Sequence, residues 1–145
     1  MNIVKFVKLK EGAQVPSQGS KYAAGYDLYA CLSDIVAIAP HTTSKIGTGL
    51  AITPPNGYFG AIFARSGLAT KQGLRPANCV GVCDEDYTGE YIVAIHNDTD
   101  EMHFIANGDR IAQLVFLPYL NVEFKEVDTL DTTDRGSGGF GSTGN

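Results

Sequence analysis

The chain has 145 residues, and 17 of them are glycine, where an average composition would give about ten. Apolar residues make up 43% of the sequence, enough to fill one hydrophobic core, which excludes a wholly disordered chain. The formal net charge of −5 argues against non-specific binding to nucleic acid. No apolar run approaches the roughly 18 residues of a membrane span, and no secretory signal pattern opens the chain. We therefore expect one cytoplasmic domain without a membrane or nucleic-acid partner.

Most of the chain is predicted to form short strands, rich in β-branched and aromatic residues and separated by turn residues. These strands are Ile3–Leu9, Ile35–Ala39, Thr43–Thr53, Tyr58–Ala64, Val80–Cys83, Tyr91–Asn97, Met102–Ala106, Arg110–Leu117 and Val122–Val127. Only Ser66–Gly73 has a helical pattern. Many short strands indicate an all-β sandwich or barrel, which we place at residues 1–130. Residues 131–145 are glycine-rich with one large apolar residue, and are predicted to be a flexible C-terminal arm.

The three cysteines are an odd number in a chain without a secretory signal pattern, which argues against a disulfide framework. Cys79 and Cys83 are separated by three residues, which is not the spacing of a zinc knuckle. We expect Cys31, Cys79 and Cys83 to be reduced thiols packed as small hydrophobic residues.

Two clusters precede the middle of the chain. In the first, alternation along a strand entered through Gly25 places Asp27 on the face opposite Leu28. The alternative is a merely solvated Asp27. In the second, Arg65-Ser66-Gly67 follows a strand and begins the short helix, so free amides lie beside a hydroxyl and a guanidinium. This arrangement favours phosphate binding, although Ser66 as an ordinary helix N-cap is an alternative.

The third cluster has three consecutive acids, Asp84, Glu85 and Asp86, flanked by Asn78 and Tyr87. A carboxylate near a phosphate ester is suited to act as a general base for water, and an aromatic side chain can face a sugar or base. Acids at a turn between strands are also common for solubility alone.

The fourth cluster is the strand that begins at Arg110. Alternation places Ile111, Gln113 and Val115 on one face and Arg110 on the other. We predict a ligand role for Gln113 and favour a structural pairing of Arg110 with a carboxylate.

The fifth cluster is the arm, which contains Arg135, Phe140 and a terminal Gly-Ser-Thr-Gly run. Amides, hydroxyls and one cation suit an anion-binding lid, and Phe140 is able to stack on a base. A disordered terminus is the alternative that composition alone favours.

Together and in this order, the five clusters resemble the motifs of the homotrimeric dUTPases over residues 22–144. The resemblance implies an enzyme that hydrolyses dUTP to dUMP and pyrophosphate with Mg²⁺, keeping uracil out of DNA and supplying dUMP for thymidylate synthesis. It also implies a jelly-roll-like β fold and a homotrimer with active sites at subunit interfaces. The location would be the cytoplasm, or the host cytoplasm or nucleus for a viral protein.

The resemblance further implies roles for individual residues. Asp84 would activate the attacking water, Tyr87 would pack against the deoxyribose, and Asn78 with the nearby hairpin backbone would bind uracil, over which Phe140 closes. Asp27 would contact Mg²⁺ through water. The α- and β-phosphates would contact Arg65, Ser66, Gly67 and Gln113. The γ-phosphate would contact Arg135, Gly141, Ser142 and Thr143.

Two positions depart from the family pattern. Ala64 stands where a proline is usual, and Cys83 where an aliphatic residue is usual. Two alternatives to a dUTPase remain: a relative of the dCTP deaminases, and a nucleotide-sensing interaction protein built on the same scaffold.

Overall fold

The computed structural model describes residues 3–139, which form three antiparallel sheets and one short helix. The strands are β1 (Lys5–Lys8), β2 (Ser17–Gln18), β3 (Tyr26–Tyr29), β4 (Val36–Ile38), β5 (Thr43–Thr53), β6 (Tyr58–Phe63), β7 (Leu74–Pro76), β8 (Gly81–Cys83), β9 (Glu90–Asn97), β10 (His103–Ile105) and β11 (Arg110–Pro118). The helix α1 (Ser66–Gln72) lies between β6 and β7. The prediction of an all-β fold with one short helix is confirmed.

The two larger sheets share one hydrophobic core. One sheet has the order β1-β5-β9-β7 and the other β2-β3-β11-β6-β8, while β4 and β10 pair separately. Fully buried side chains come from both large sheets, among them Leu28, Leu50, Ile95 and Leu114. Along β9 buried and less buried residues alternate, because successive side chains of a strand point to opposite faces.

A β-bulge interrupts β11 near its start. Arg110 pairs with Tyr29 and Ala112 pairs with Leu28, so Ile111 is the additional residue. A bulge of this kind breaks the simple alternation of side chains, because two residues of one strand oppose one residue of its partner. It decides which side chains of β11 reach the candidate site.

The predicted strand at Val122–Val127 is wrong. The alternating apolar residues there have no partner strand within residues 3–139, and Val122, Phe124 and Val127 are 59%, 95% and 53% exposed. Residues 119–139 as a whole contain no strand or helix. Conversely, the short strands β2 and β7 were not predicted, because two or three residues carry too little alternation to be recognised.

Within residues 3–139, no helix is long and apolar enough to cross a membrane.

Candidate active site

A cavity of about 730 Å³ lies where β3, β6 and β11 meet the start of α1. Residues from four of the five sequence clusters line it, the third cluster through Cys79 alone. The polar ones are Asp27, Arg65, Ser66, Arg110 and Gln113. The structure thus brings together residues that lie as many as 86 positions apart in the chain.

Asp27 is the centre of this group. Its Oδ1 accepts a hydrogen bond from Arg65 Nε at 2.8 Å, and its Oδ2 accepts one from Arg110 Nη1 at 3.2 Å. The Asp27 side chain is only 15% exposed. The alternative of a merely solvated Asp27 is therefore wrong, and the expected pairing of Arg110 with a carboxylate is confirmed.

The bulge in β11 places Arg110 and Gln113 at the same cavity. The sequence-based prediction put them on opposite faces, and this is wrong because Ile111 adds one residue to the alternation. Beyond the bulge Gln113 pairs with Asp27, while Arg110 pairs with Tyr29 two residues farther along β3. Arg110 therefore lines the cavity as well as pairing with Asp27.

Gln113 is fixed in position by its surroundings. Its Nε2 donates to the Ala64 carbonyl oxygen at 2.8 Å. A side chain at Gly25 would collide with the Gln113 side-chain oxygen, so this close approach requires glycine. Ala64, one of the two departures from the family pattern, takes part here only through its backbone carbonyl.

The start of α1 lies at the cavity. Arg65 is the N-cap residue, with extended backbone angles, and its side chain makes no capping hydrogen bond. The alternative of Ser66 as the N-cap is therefore wrong. Ser66 and Gly67 line the cavity, where the first amides of a helix have no acceptor within the helix. The helix ends at Gly73, whose left-handed φ of 63° suits glycine.

Asp84 lies elsewhere, in an exposed loop between β8 and β9 that we call the Asp84 loop (residues 84–89). Tyr87 in this loop is 43% exposed, and its hydroxyl donates to the Glu90 carbonyl oxygen at 3.0 Å. The Tyr87 ring lies 6.2 Å from the ring of Tyr91, which is buried. This position of the Tyr87 ring depends on glycine at residue 89, because a side chain there would collide with the ring.

The register of β6 and β8 separates Asp84 from the cavity. Cys83 pairs with Gly60 and Gly81 pairs with Ile62, so Asp84 follows at the level of Phe59. Arg65 lies six residues after Phe59, just past the other end of β6, and six residues of extended chain span roughly 20 Å. Within one chain, Asp84 and Arg65 therefore lie at opposite ends of this strand pair.

Asn78 and Cys79 lie in the exposed turn before β8. Cys79 lines the cavity, so the expectation that it is packed in the interior is wrong, whereas Cys31 and Cys83 are buried as predicted. All three are free thiols. Burial raises the pKa of the Cys83 thiol to about 11, so beside Asp84 it is a neutral thiol at physiological pH.

Of the predicted γ-phosphate residues, only Arg135 lies within the described part of the chain. It is exposed, and its Nε donates to the Gly138 carbonyl oxygen at 2.9 Å. Phe140, Gly141, Ser142 and Thr143 lie outside the described residues.

No cluster of three or more His, Cys, Asp or Glu side chains is placed to bind a metal ion among residues 3–139. Both Asp27 oxygens already accept hydrogen bonds from guanidinium groups. This donor set fits a Mg²⁺ ion that is bound mainly by its nucleotide and meets Asp27 through water, and it does not fit a protein-bound metal centre.

Comparison with known proteins identifies the family of the chain. The dUTPase family model matches residues 11–144. A deoxyuridine 5′-triphosphate nucleotidohydrolase of Desulfitobacterium hafniense (strain DSM 10664 / DCB-2) is 49% identical, over 99% of each chain.

Two solved structures are also similar. A mutant dUTPase of Staphylococcus bacteriophage 80alpha, solved with dUpNHpp, superposes with a TM-score of 0.87 at 29% identity and covers 100% of both chains. A mutant dUTPase of phage phi11 of S. aureus, described with a structural Mg(II) ion, has a TM-score of 0.81 at 26% identity, over 90% of this chain and 100% of that one. The resemblance predicted from the five motifs is confirmed, and the chain belongs to the dUTPase family.

Proposed function

We propose that this chain hydrolyses dUTP to dUMP and pyrophosphate, with Asp84 as the general base for a water molecule that attacks the α-phosphorus. The observation that carries the proposal is the cavity cluster, defined as Asp27, Arg65, Arg110 and Gln113. Two guanidinium groups and an amide converge there on a space large enough for a triphosphate. Phosphoryl chemistry of this kind needs positioning, neutralisation of charge and one base.

The cavity cluster supplies donors for the α- and β-phosphates. Arg65 donates a hydrogen bond from Nε to Asp27 and another from Nη1 to the Arg110 carbonyl oxygen at 3.3 Å. A guanidinium has five N–H donors, so N–H groups of Arg65 remain for phosphate oxygens. Ser66, Gly67 and Gln113 add a hydroxyl, a backbone amide and a side-chain amide beside it.

Mg²⁺ is the cofactor that this arrangement suits. Bound to the triphosphate, the ion would neutralise phosphate charge that an acidic protein with few arginines neutralises only in part. Asp27 would hold the coordinated water by the remaining lone pairs of its carboxylate oxygens. The two guanidinium groups keep that carboxylate in place.

The Asp84 loop supplies the other half of the chemistry. The Asp84 carboxylate is exposed and makes no hydrogen bond or ion pair with the rest of residues 3–139, so it is available to accept a proton from water. Tyr87 presents an aromatic face on which a deoxyribose packs, and its bulk would reject a 2′-hydroxyl. Asn78 and the hairpin backbone would bind the edge of uracil.

Because the register of β6 and β8 places Asp84 and Arg65 at opposite ends of this strand pair within one chain, we propose that each site combines two copies in a homotrimer. The exposed apolar residues after β11 support an oligomer. Leu120, Phe124 and Leu130 are 86%, 95% and 88% exposed in the single chain, and such surfaces mark contacts between proteins.

The C-terminal arm (residues 131–145) would complete the site as a lid. Arg135 would neutralise the γ-phosphate together with Gly141, Ser142 and Thr143, and Phe140 would stack on uracil. Closing the site in this way excludes bulk water and strengthens the electrostatic contacts within it. Cytoplasmic nucleotide metabolism is the setting that this reaction implies.

Complementation between two inactive variants tests the shared site. Asp84→Asn and Arg65→Gln are purified separately, then mixed equally, unfolded and refolded together. Random assortment gives one copy with Asp84 next to one with Arg65 in about a quarter of the sites, so about a quarter of wild-type turnover should return. Each variant refolded alone is the control. If the mixture stays as inactive as its components, Asp84 and Arg65 do not act in one site across copies.

A relative of the dCTP deaminases is the alternative, and the family match does not favour it. Pyrophosphate release from each deoxynucleoside triphosphate, with and without Mg²⁺, separates the two, because a deaminase would act on dCTP and release none.

A further inference from the structure

Glu85, the residue after Asp84, joins three segments that are far apart in sequence. Its Oε2 accepts a hydrogen bond from the Gly57 amide at 2.8 Å and another from the Tyr119 hydroxyl at 2.8 Å. The Tyr119 amide in turn donates to the Gly57 carbonyl oxygen at 3.1 Å. The three hydrogen bonds form a closed triangle, which we call the Glu85 node (Gly57, Glu85 and Tyr119).

The Glu85 node connects the Asp84 loop to the rigid part of the fold. Gly57 ends the turn between β5 and β6, where its φ of 76° favours glycine. Tyr119 is the first residue after β11. Apart from the contacts of Tyr87 with Glu90 and Tyr91, few interactions hold the loop. Its side chains are mostly exposed, and its backbone is not paired in a sheet between β8 and β9.

The Glu85 carboxylate is held as an anion by neutral donors. The hydrogen bonds from the Gly57 amide and the Tyr119 hydroxyl lower the pKa of Glu85. The hydrogen bond between Tyr119 and Glu85 also raises the pKa of Tyr119. No ion pair involves Glu85 among residues 3–139, so the carboxylate serves as an acceptor and not as part of a charge cluster.

We propose that Glu85 is a positioning residue for dUTP hydrolysis, which sets the place of the Asp84 carboxylate by anchoring its loop to Gly57 and Tyr119. The peptide bond between them transmits this constraint directly, since Glu85 is the residue next to Asp84 in the chain. The same node fixes the direction in which residues 119–139 leave the domain. The inference rests on the proposed role of Asp84 as the base.

A displaced base changes the rate of the chemical step more than the affinity for nucleotide. A misplacement of about 1 Å at a reacting group costs on the order of 10²-fold in rate. Glu85→Ala removes both acceptor contacts, and we expect kcat for dUTP to fall about 10- to 100-fold. KM, and the affinity for the imido analogue dUpNHpp, should change less than about threefold, because the cavity cluster is untouched and Tyr87 keeps its own contacts with the Glu90 carbonyl oxygen and the Tyr91 ring.

Three further variants of the full chain make the test specific. Glu85→Gln keeps an acceptor oxygen and should recover most of the lost kcat. Tyr119→Phe removes one of the two contacts and should lower kcat only about two- to fivefold, and combined with Glu85→Ala it should add nothing. Glu11→Gln is the control for lost charge, because the Glu11 side chain is exposed and makes no contact of this kind within the described chain.

All rates are expressed per dUpNHpp-binding site, so that misfolded protein does not count. An unchanged kcat in Glu85→Ala overturns the proposal, and so does a parallel fall of kcat and affinity, which would indicate general disruption. A loss in the double variant equal to the product of the single losses would show that Tyr119 does not act through Glu85. Asp84→Asn, measured alongside, separates the two hypotheses: full turnover there refutes the base, whatever Glu85 does.

Discussion

The cavity cluster and the Asp84 loop are held by the chain in opposite ways. The cavity cluster draws on three neighbouring strands and the start of a helix, and its charges are paired with one another before any ligand binds. The Asp84 loop is mostly exposed, and the Asp84 carboxylate has no hydrogen-bond or ion-pair partner among the described residues. The difference is consistent with their proposed tasks, because phosphate binding benefits from fixed positive groups, whereas a base must keep its lone pairs free.

The largest expected effect belongs to the Asp84 loop. Asp84→Asn keeps the shape of the side chain but removes the basic oxygen, so we expect kcat for dUTP to fall about 10³-fold. Binding of dUpNHpp, measured by calorimetry, should remain, and the free energy of unfolding should change little because the Asp84 carboxylate makes no hydrogen bond or ion pair within residues 3–139. Glu11→Gln is the matched loss of one exposed charge. Turnover near the wild-type rate would refute the assignment of the base.

The arm should give the next largest effect. Removing residues 135–145 takes away Arg135 and the proposed lid, and we expect kcat/KM to fall on the order of 10²-fold. Affinity for dUpNHpp should weaken far more than affinity for dUMP, since dUMP has no γ-phosphate. Sedimentation should still show an oligomer. Arg135→Gln separates the guanidinium from the rest of the arm, and a truncated enzyme as fast as the full chain would exclude a lid.

The cavity cluster should respond in stability as well as in activity. In the wild-type chain two guanidinium groups donate to the Asp27 carboxylate. In Asp27→Asn, the amide N–H₂ faces one of these groups in place of a carboxylate oxygen. We expect the free energy of unfolding to fall by about 1–2 kcal/mol, measured at equal protein concentration. The Mg²⁺ concentration for half-maximal activity should rise. If stability is unchanged from that of Glu11→Gln, the two ion pairs contribute nothing to the fold.

The sequence predicts where many of the strands lie, but less of how the strands pair with one another. The bounds of β5 match the prediction, because Thr and Ile recur along the segment and the turn signal Pro54-Pro55-Asn56-Gly57 follows it. The bulge at Ile111 was not predictable, since it depends on β3, which lies about 80 residues earlier in the chain. Val122–Val127 has the alternation of a strand, but alternation does not show whether a partner strand exists.

For the candidate site too, the sequence predicts single residues better than their arrangement in space. Five residues that the motifs assign to the phosphates or to Mg²⁺ line the cavity: Asp27, Arg65, Ser66, Gly67 and Gln113. The roles assigned to Asp84 and to the arm stay predictions. The division of the proposed site into two regions is a consequence of the register between β6 and β8, which no local pattern encodes. Glu85 was noticed only as one of three acids, since its partners Gly57 and Tyr119 are distant in sequence.

The smallest predicted effect concerns the support beneath the Asp84 loop. Tyr91 is 1% exposed, and its hydroxyl has no hydrogen-bond partner within residues 3–139. A buried hydroxyl without a partner is destabilising, so Tyr91→Phe should raise the free energy of unfolding by about 0.5–1.5 kcal/mol. Activity should stay the same, because the ring that packs against Tyr87 is retained.

Tyr29→Phe is the matched control for this change. The Tyr29 hydroxyl lies 2.6 Å from Ser17 Oγ, so its removal breaks a hydrogen bond and should not stabilise the fold. A loss of stability in Tyr91→Phe would instead identify a partner for its hydroxyl, with the neighbouring Cys83 thiol the first candidate. The Asp84 loop would then rest on a polar contact, and the departure from an aliphatic residue at Cys83 would have a structural reason.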